Sequence, residues 1–412
     1  MFRGPAAFVV RAPGRVNLIG EHIDYALLPV LPMAIQLGIT LTVRPREDRH
    51  VRLTNTDESY PDIELDLSAE VDPVVPGDWS NYARGVTQAL ARDYEIAVGA
   101  DIAVEADLPA AAGLSSSSAL SCGVALALLA VNGREPDRVA LAEVMAGAEQ
   151  YVGTQGGAMD HAVILCAQAG CALGVSFAPL SVRPLSMPEE WVFLVAQSGV
   201  RAEKSGAAGA AYNARTRECR EALGAVWAVV GTGEPPDKDY RPLLEAADAD
   251  QLLKVGADVL RPALLARLRH ALTEVQRVSE AEEALDSGDL QGFGRAMDAS
   301  HESLRIDYEV STPELDRIVD LAREAGAAGA RLTGAGLGGA VLILCTEDAE
   351  GAIRESLAAG YYGPRGDRTP EEAVFRAIPS GGATVTPAPP ATRGSPPLGA
   401  SGRLPNPKPP QR

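Results

Sequence analysis

The chain has 412 residues, 46% hydrophobic and 22% charged, with a formal net charge of −18. This is an ordinary globular mix, long enough to bury a core without staples and, at roughly 100–200 residues per domain, to form two domains or three small ones. So acidic a chain, with no Lys/Arg-rich block, disfavours nucleic acid and anionic membrane as partners; an anionic ligand needs a local positive site made by backbone N–H groups or a metal ion.

In chain order, residues 7–19 read as a β segment broken by Pro13 and Gly14, and residues 29–45 carry β-rich runs such as ITLTV. Residues 51–67 alternate apolar and polar, as antiparallel strands do. Residues 80–97 look helical, and IAVEADL at 102–108 reads as a half-buried strand. No charge occurs between Asp107 and Arg134, but Pro109, Gly113, four consecutive serines and Gly123 interrupt the run. We read it as a loop feeding a buried helix at 115–131, not as a membrane span. Helices follow at 138–151 and from Met159, then strands near 171–177 and 191–197. Residues 205–305 are mainly helical, 312–325 form another helix, and GARLTG, AVLILC (340–345) and VFRAIP (374–379) read as strands. From Ser380 on Pro and Gly dominate, and 386–412 is expected to be a disordered tail. The pattern is that of an α+β protein.

The five cysteines, Cys122, Cys166, Cys171, Cys219 and Cys345, are scattered with no C-x-x-C. They suit a reducing compartment, and a cytoplasmic location is expected. No two of the five histidines stand at zinc-ligand spacing, and the N-terminus has no long apolar run of the secretory kind.

Three features carry chemistry. Pro109-Ala-Ala-Ala-Gly113-Leu-Ser115-Ser-Ser-Ser118 joins a strand to a helix. Small residues let the backbone approach a phosphate, and N–H groups at a helix start make an anion site. It is not a Walker A loop, and alone it equally suits a flexible Ser/Gly turn with an N-cap. Gly334-Ala-Gly336-Leu-Gly338-Gly339 formally matches G-x-G-x-x-G, but a strand follows it. That argues against a dinucleotide fold and leaves either a hairpin turn or a close backbone approach to a ligand. Arg15, Glu21, His22 and Asp24 in RVNLIGEHIDY, and Asp160 in GGAMDHAV, are polar groups in apolar surroundings. Carboxylates so placed can accept hydrogen bonds from sugar hydroxyls, or they can be a solvated loop. Glu149, eleven residues before Asp160, can face the same cleft or be one helix charge among many.

These features in this order, from about Val9 to Val385, resemble the GHMP kinases and, among them, the galactokinase family. GRVNLIGEHIDY with VLPMAI looks like the sugar-binding signature, LPAAAGLSSSSAL like the phosphate-binding loop, and ARLTGAGLGGAVLIL like the third motif. WSNYARGV, SHESLRIDYEVSTPELDRIVD and FRAIPSGGATV extend the likeness.

The resemblance implies an N-terminal ribosomal-protein-S5-like domain at 1–185 and a C-terminal ferredoxin-like domain at 186–385, with the active site between them. It implies transfer of the γ-phosphate of ATP to the C1 hydroxyl of galactose, with magnesium. Asp160 resembles the catalytic carboxylate facing that hydroxyl, and Arg15 its positive partner and a stabiliser of the transferring phosphoryl. Glu21, His22, Asp24 and Tyr212 match sugar-holding positions, with a backbone contact from Gly157. Ala111, Ala112, Gly113, Leu114, Ser115, Ser116 and Ser117 resemble the nucleotide phosphate cradle, and Ser117 and Glu149 the magnesium ligands. Partners are then a sugar and ATP, with neither nucleic acid nor membrane, and a monomer or weak oligomer is expected.

The sequence departs from the family pattern in places. Ala26-Leu27-Leu28-Pro29 stands where Asn-Gly-Gly is usual; without glycines, positive φ is less accessible and another loop path is expected. His161 replaces the usual glutamine, and VRAEKSGAAGAAYNAR is longer than the pattern. GTQGGAMD, the spacing of Glu149 and the isoleucine of GEHIDY look more like the N-acetylgalactosamine kinase branch, whereas Tyr212 in AAYNAR looks like the galactokinase branch. A kinase for N-acetylgalactosamine or another pyranose, and a non-catalytic sugar/ATP sensor, are the alternatives.

Overall fold

The computed structural model describes residues 6–389, apart from residues 76, 110–111, 154–155, 202–206 and 367. A six-stranded sheet has the order β12-β1-β2-β5-β3-β4. Its strands are β1 (Phe8–Ile19), β2 (Leu31–Pro45), β3 (His50–Asn55), β4 (Ile63–Asp66), β5 (Ala100–Ala106) and β12 (Thr384–Pro387). Every pairing is antiparallel except β3 with β5. A second sheet, order β11-β8-β10-β9, is built from β8 (Val192–Gln197), β9 (Gly329–Thr333), β10 (Ala340–Cys345) and β11 (Val374–Ala377). Between β5 and β8 in sequence lies a hairpin of β6 (Cys171–Ser176) and β7 (Ser181–Ser186).

The longer helices are α1 (Ser80–Asp93), α2 (Ser116–Val131), α3 (Arg138–Glu149), α4 (Met159–Cys166), α5 (Ala207–Val230), α6 (Arg241–Ala246), α7 (Ala249–Val259), α8 (Pro262–Ser287), α9 (Leu290–Ile306), α10 (Pro313–Glu324) and α11 (Glu347–Leu357). The mixture is the expected α+β class. Helix α2 is apolar on all sides and lies against β1 and β2, as a wholly buried helix should. At Gly123 a Cβ would stand 2.4 Å from Leu41 Cδ1, so the glycine leaves room for the Leu41 side chain of β2. No described helix is long and apolar enough to cross a membrane.

The break expected at Pro13 and Gly14 is instead a bulge within one continuous strand. Register slips between Pro13 (opposite Gly38) and Arg15 (opposite Ala34). Such a bulge absorbs a residue that cannot donate and re-aims the side chain that follows, here Arg15. Downstream of it, Arg15 N donates to Leu114 O at 3.1 Å, joining β1 to the loop before α2.

Several elements escaped the sequence reading, β7 and α11 among them. β7 carries Pro184 and is mostly exposed, so its alternation is weak. Among the buried residues of α11 only Ile353 and Leu357 are apolar. Residues 386–387, assigned to the tail, close β12 against Phe8 and Val9. Backbone pairing needs no large side chains, which is why composition missed it. The remainder of the expected tail, 390–412, lies outside the described residues.

The loop after Asp24 also departs from expectation. Leu27 takes the left-handed conformation (φ 57°) without glycine, capping a short 3-10 turn over Asp24–Ala26 through its N–H to Asp24 O. A non-glycine residue there costs about 1–2 kcal/mol. Burial of Leu28 and Ala26 in the core offsets that strain.

Candidate active site

The bulge delivers Arg15 into a cleft between β1, α4 and the start of α2. Its Nε donates to Asp160 Oδ1 at 2.6 Å and Nη1 to Gly113 O at 2.7 Å. Burial alone would lower the guanidinium pKa, but the carboxylates of Asp160, Glu21 and Asp24 more than compensate and raise it. Arg15 is therefore a permanent positive charge. Asp160 sits in the first turn of α4, and its second oxygen accepts a hydrogen bond from the Ser115 hydroxyl. One carboxylate thus ties together strand, loop and helix.

The turn after β1 forms the next wall. Gly20 (φ 94°) and His22 (φ 62°) are both left-handed, which swings Glu21, His22 and Asp24 toward the cleft. Glu21 Oε2 accepts from Arg331 Nη2 at 2.9 Å, a pair almost wholly buried. Burial pushes the Glu21 carboxyl up, and the charges of Arg331 and Arg15 only partly offset it. His22 Nε2 lies 3.1 Å from Ala335 O, and a carbonyl only accepts, so that nitrogen carries the proton. Nδ1 then accepts from Tyr25 OH at 3.1 Å, and Tyr25 in turn accepts from Tyr308 OH at 2.7 Å. Burial first, and the neighbouring His270 second, pull the His22 pKa down to about 3, so the ring stays neutral. Tyr212 lies against it, ring centroids 5.3 Å apart.

Asp24 behaves differently. Burial and the nearby Asp160 charge raise its pKa to about 7. A Cβ on Gly157 would stand 2.4 Å from Asp24 Oδ2, so only glycine fits beside this carboxylate.

The third wall is the loop before α2. Gly113 (φ 78°) and Ser115 (φ 58°) are left-handed, and Ser116 opens the helix. The two glycine-rich motifs meet here: a Cβ on Gly334 would stand 2.7 Å from Gly113 O, and one on Gly113 would stand 2.9 Å from Thr333 O. The third motif is a hairpin turn between β9 and β10 and also a neighbour of the phosphate-like loop. Ser117 Oγ lies 3.5 Å from Glu149 Oε1, and Ser118 Oγ lies 3.3 Å from Glu149 Oε2. His161, wholly buried, has Nε2 3.3 Å from Glu149 Oε2.

Arg15, Glu21, His22, Asp24, Glu149, Gly157, Asp160 and Tyr212 therefore line one cleft, together with Gly334 and Ala335. Ala112 to Ser117 border it through Gly113, Ser115 and Ser117. Ala111 lies outside the described residues, as does 202–206 of the long segment before Tyr212. Sequence reasoning missed Arg331. Its signal was a lone charge in the apolar strand GARLTG.

Three family models match the chain: the galactokinase galactose-binding signature over residues 1–45, the GHMP kinase N-terminal domain over 81–168 and the GHMP kinase C-terminal domain over 281–363. A galactokinase of Chloroflexus aurantiacus is 38% identical over 366 residues, covering 87% of this chain and 89% of that one. The chain belongs to the galactokinase family of GHMP kinases. A galactokinase of Roseiflexus sp. is 37% identical over 375 residues, covering 90% and 91%. The crystal structure of Lactococcus lactis galactokinase complexed with galactose superimposes with a TM-score of 0.81 at 30% identity, covering 91% of this chain and 94% of that one. A mevalonate kinase at 22% identity and TM-score 0.59 shares the fold.

Proposed function

We propose that the chain transfers the γ-phosphoryl group of ATP to the C1 hydroxyl of galactose, yielding galactose 1-phosphate and ADP. The observation that carries this reading is the Arg15–Asp160 pair, standing where the sugar-side turn and the phosphate-side loop meet. Phosphoryl transfer passes through a loose transition state, so positioning and charge neutralisation dominate. Asp160 orients the C1 hydroxyl and takes its proton late, and Arg15 stabilises charge on the transferring group. Asp24 and Tyr212 hold sugar hydroxyls, with Glu21 and the His22 ring alongside and Gly157 offering its backbone. Ala112 to Ser117 cradle the phosphates with N–H groups of the loop before α2 and of its first turn.

Magnesium binds through one or two carboxylates plus substrate phosphates. The oxygen donors Ser117 Oγ and Glu149 Oε1, 3.5 Å apart, suit such an ion. When bound, it neutralises phosphate charge. In the two-domain reading with a boundary at 185/186, the sugar-side turn, the phosphate-side loop and Asp160 all come from the first domain. Five free thiols support a cytoplasmic location. We take sugar and ATP as the partners, with neither nucleic acid nor membrane, and a monomer or weak oligomer as the working state.

The test is ADP release from ATP and magnesium with a panel of galactose, N-acetylgalactosamine and other pyranoses. Galactose is expected to give the highest kcat/KM. Turnover of another sugar without galactose turnover overturns the substrate, and binding of both ligands with no ADP release identifies a sensor.

A further inference from the structure

Glu274 lies in the middle of α8, outside every motif that marks the cleft, and it is wholly buried. Its Oε1 accepts from Gly20 N at 3.0 Å, Glu21 N at 3.2 Å and Ser300 Oγ at 2.7 Å. Its Oε2 accepts from Arg277 Nε at 2.7 Å. One helical turn earlier, His270 Nε2 donates to Glu21 O at 2.9 Å. Helix α8 therefore grips three backbone groups of the two residues that start the sugar-side turn.

That turn needs holding. Gly20 and His22 are both left-handed, and backbone in that region persists for a non-glycine residue only when its surroundings over-determine it. The carboxylate is suited to the task. Despite burial, the neighbouring Arg277 first, with Arg331 behind it, helps bring the Glu274 pKa down to about 2, so it stays an acceptor at any working pH. Arg15 and Asp160, in contrast, are held by the bulge of β1, by Gly113 and Ser115, and by α4.

We propose that Glu274 is a positioning residue for sugar recognition: through the N–H groups of Gly20 and Glu21 it sets the orientation of Glu21, His22 and Asp24 without touching the substrate. The proposal rests on the reading of that turn as the sugar site.

The test compares Glu274→Asp with Glu274→Gln. Aspartate keeps the charge and withdraws it by about 1.5 Å, one carbon–carbon bond. Glutamine keeps an acceptor oxygen at the same reach toward Gly20 and Glu21 and loses the charge, and its NH2 group replaces the oxygen that accepts from Arg277, a cost that falls on α8 and not on the turn. In E274D the Kd for galactose, measured by calorimetry without nucleotide, is expected to rise at least tenfold. The ATP Kd and kcat at saturating sugar are expected to stay within threefold. In E274Q the galactose Kd is expected to stay within about threefold. A residue serving only as a buried charge gives the reverse order, with E274Q the more damaged. That reversal, an unchanged galactose Kd in E274D, or a parallel rise in the ATP Kd overturns the proposal. Should E274D not fold, E274Q decides: a galactose Kd raised tenfold or more overturns it, and one near the parent value upholds it. Failure of the parent chain to bind or phosphorylate galactose defeats the substrate reading instead, and is distinguishable because it needs no variant.

Discussion

The sugar-side turn at 20–25 and the phosphate-side loop at 112–117 flank the same strand and are held in opposite ways. The turn is tied by side chains from distant elements: Arg331 of β9, Glu274 and His270 of α8, and Tyr308 after α9. The loop is tied largely through backbone: Arg15 reaches Gly113 O and Leu114 O, and the glycine turn at Gly334 packs against Gly113. The difference follows from what each wall is proposed to bind. A neutral polyol is told from its epimers by fixed lone pairs and donors, and a site built to pair a hydroxyl rejects an analogue lacking it by orders of magnitude. A polyphosphate carries many equivalent oxygens, and close-approaching N–H groups and a metal ion serve it. One wall is specified by side chains, and the other by the room that small residues leave.

The widest break in that comparison is at the residue joining both walls. Asp160→Asn is expected to lower kcat about 10²–10⁴-fold while fold and nucleotide binding persist, as read by turnover and by ATP titration. Near-normal turnover would remove Asp160 from its role. Arg331→Met tests the sugar wall. It strands the buried Glu21 carboxylate and should cost about 3–5 kcal/mol in urea denaturation. Gly157→Ala drives a methyl group into Asp24, and the galactose KM is expected to rise about tenfold, the scale of about 1.4 kcal/mol, with the ATP KM unchanged.

A pH series sharpens the contrast further. Asp24, with its pKa near 7, loses its charge as pH falls below 7. If the carboxylate is what receives the sugar, galactose affinity should drop up to about tenfold per pH unit below 7, with ATP affinity flat, and Asp24→Asn should abolish the slope. Linkage fixes the sign for stability too. A carboxyl raised in the folded state contributes stability below its unfolded pKa near 3.8 and loses it as pH rises through about 7. His22, lowered to about 3, contributes in the opposite sense: its stabilisation is present above about 6.5 and lost as pH falls toward 3. The smallest effect is expected on the other wall. Ser117→Ala should raise the magnesium concentration for half-maximal rate several-fold and change unfolding free energy by less than about 1 kcal/mol.

The same division explains what could be read from the sequence. Strands β1 and β2, the buried helix α2 and the β9–β10 hairpin announce themselves by period and by Gly, Ser and Pro at their ends. The phosphate-side loop is local, so Gly113 to Ser117 are legible as one string. The sugar wall is not local. Arg331 stands 310 residues from Glu21, and Glu274 is one charge among many on a long helix. Nothing in RLRHALTEVQRV says that its glutamate reaches the backbone of Gly20. Leu27 misleads in the other direction: the absence of glycine argues against a left-handed residue, yet surrounding packing imposes one. Tertiary context overrides local preference where the core can carry the strain.

The pairing of Thr384–Pro387 with β1 also sets an order of events during synthesis. Phe8 emerges first and waits for Pro387, its partner across the sheet. At ribosomal rates of about 5–20 residues per second the interval is roughly 20–75 s. Throughout it the outer edge of β1 presents unpaired N–H and C=O groups, which other strands can capture. The nascent chain is thus exposed to misassociation at β1 until β12 arrives, and a holding chaperone would help most during that window.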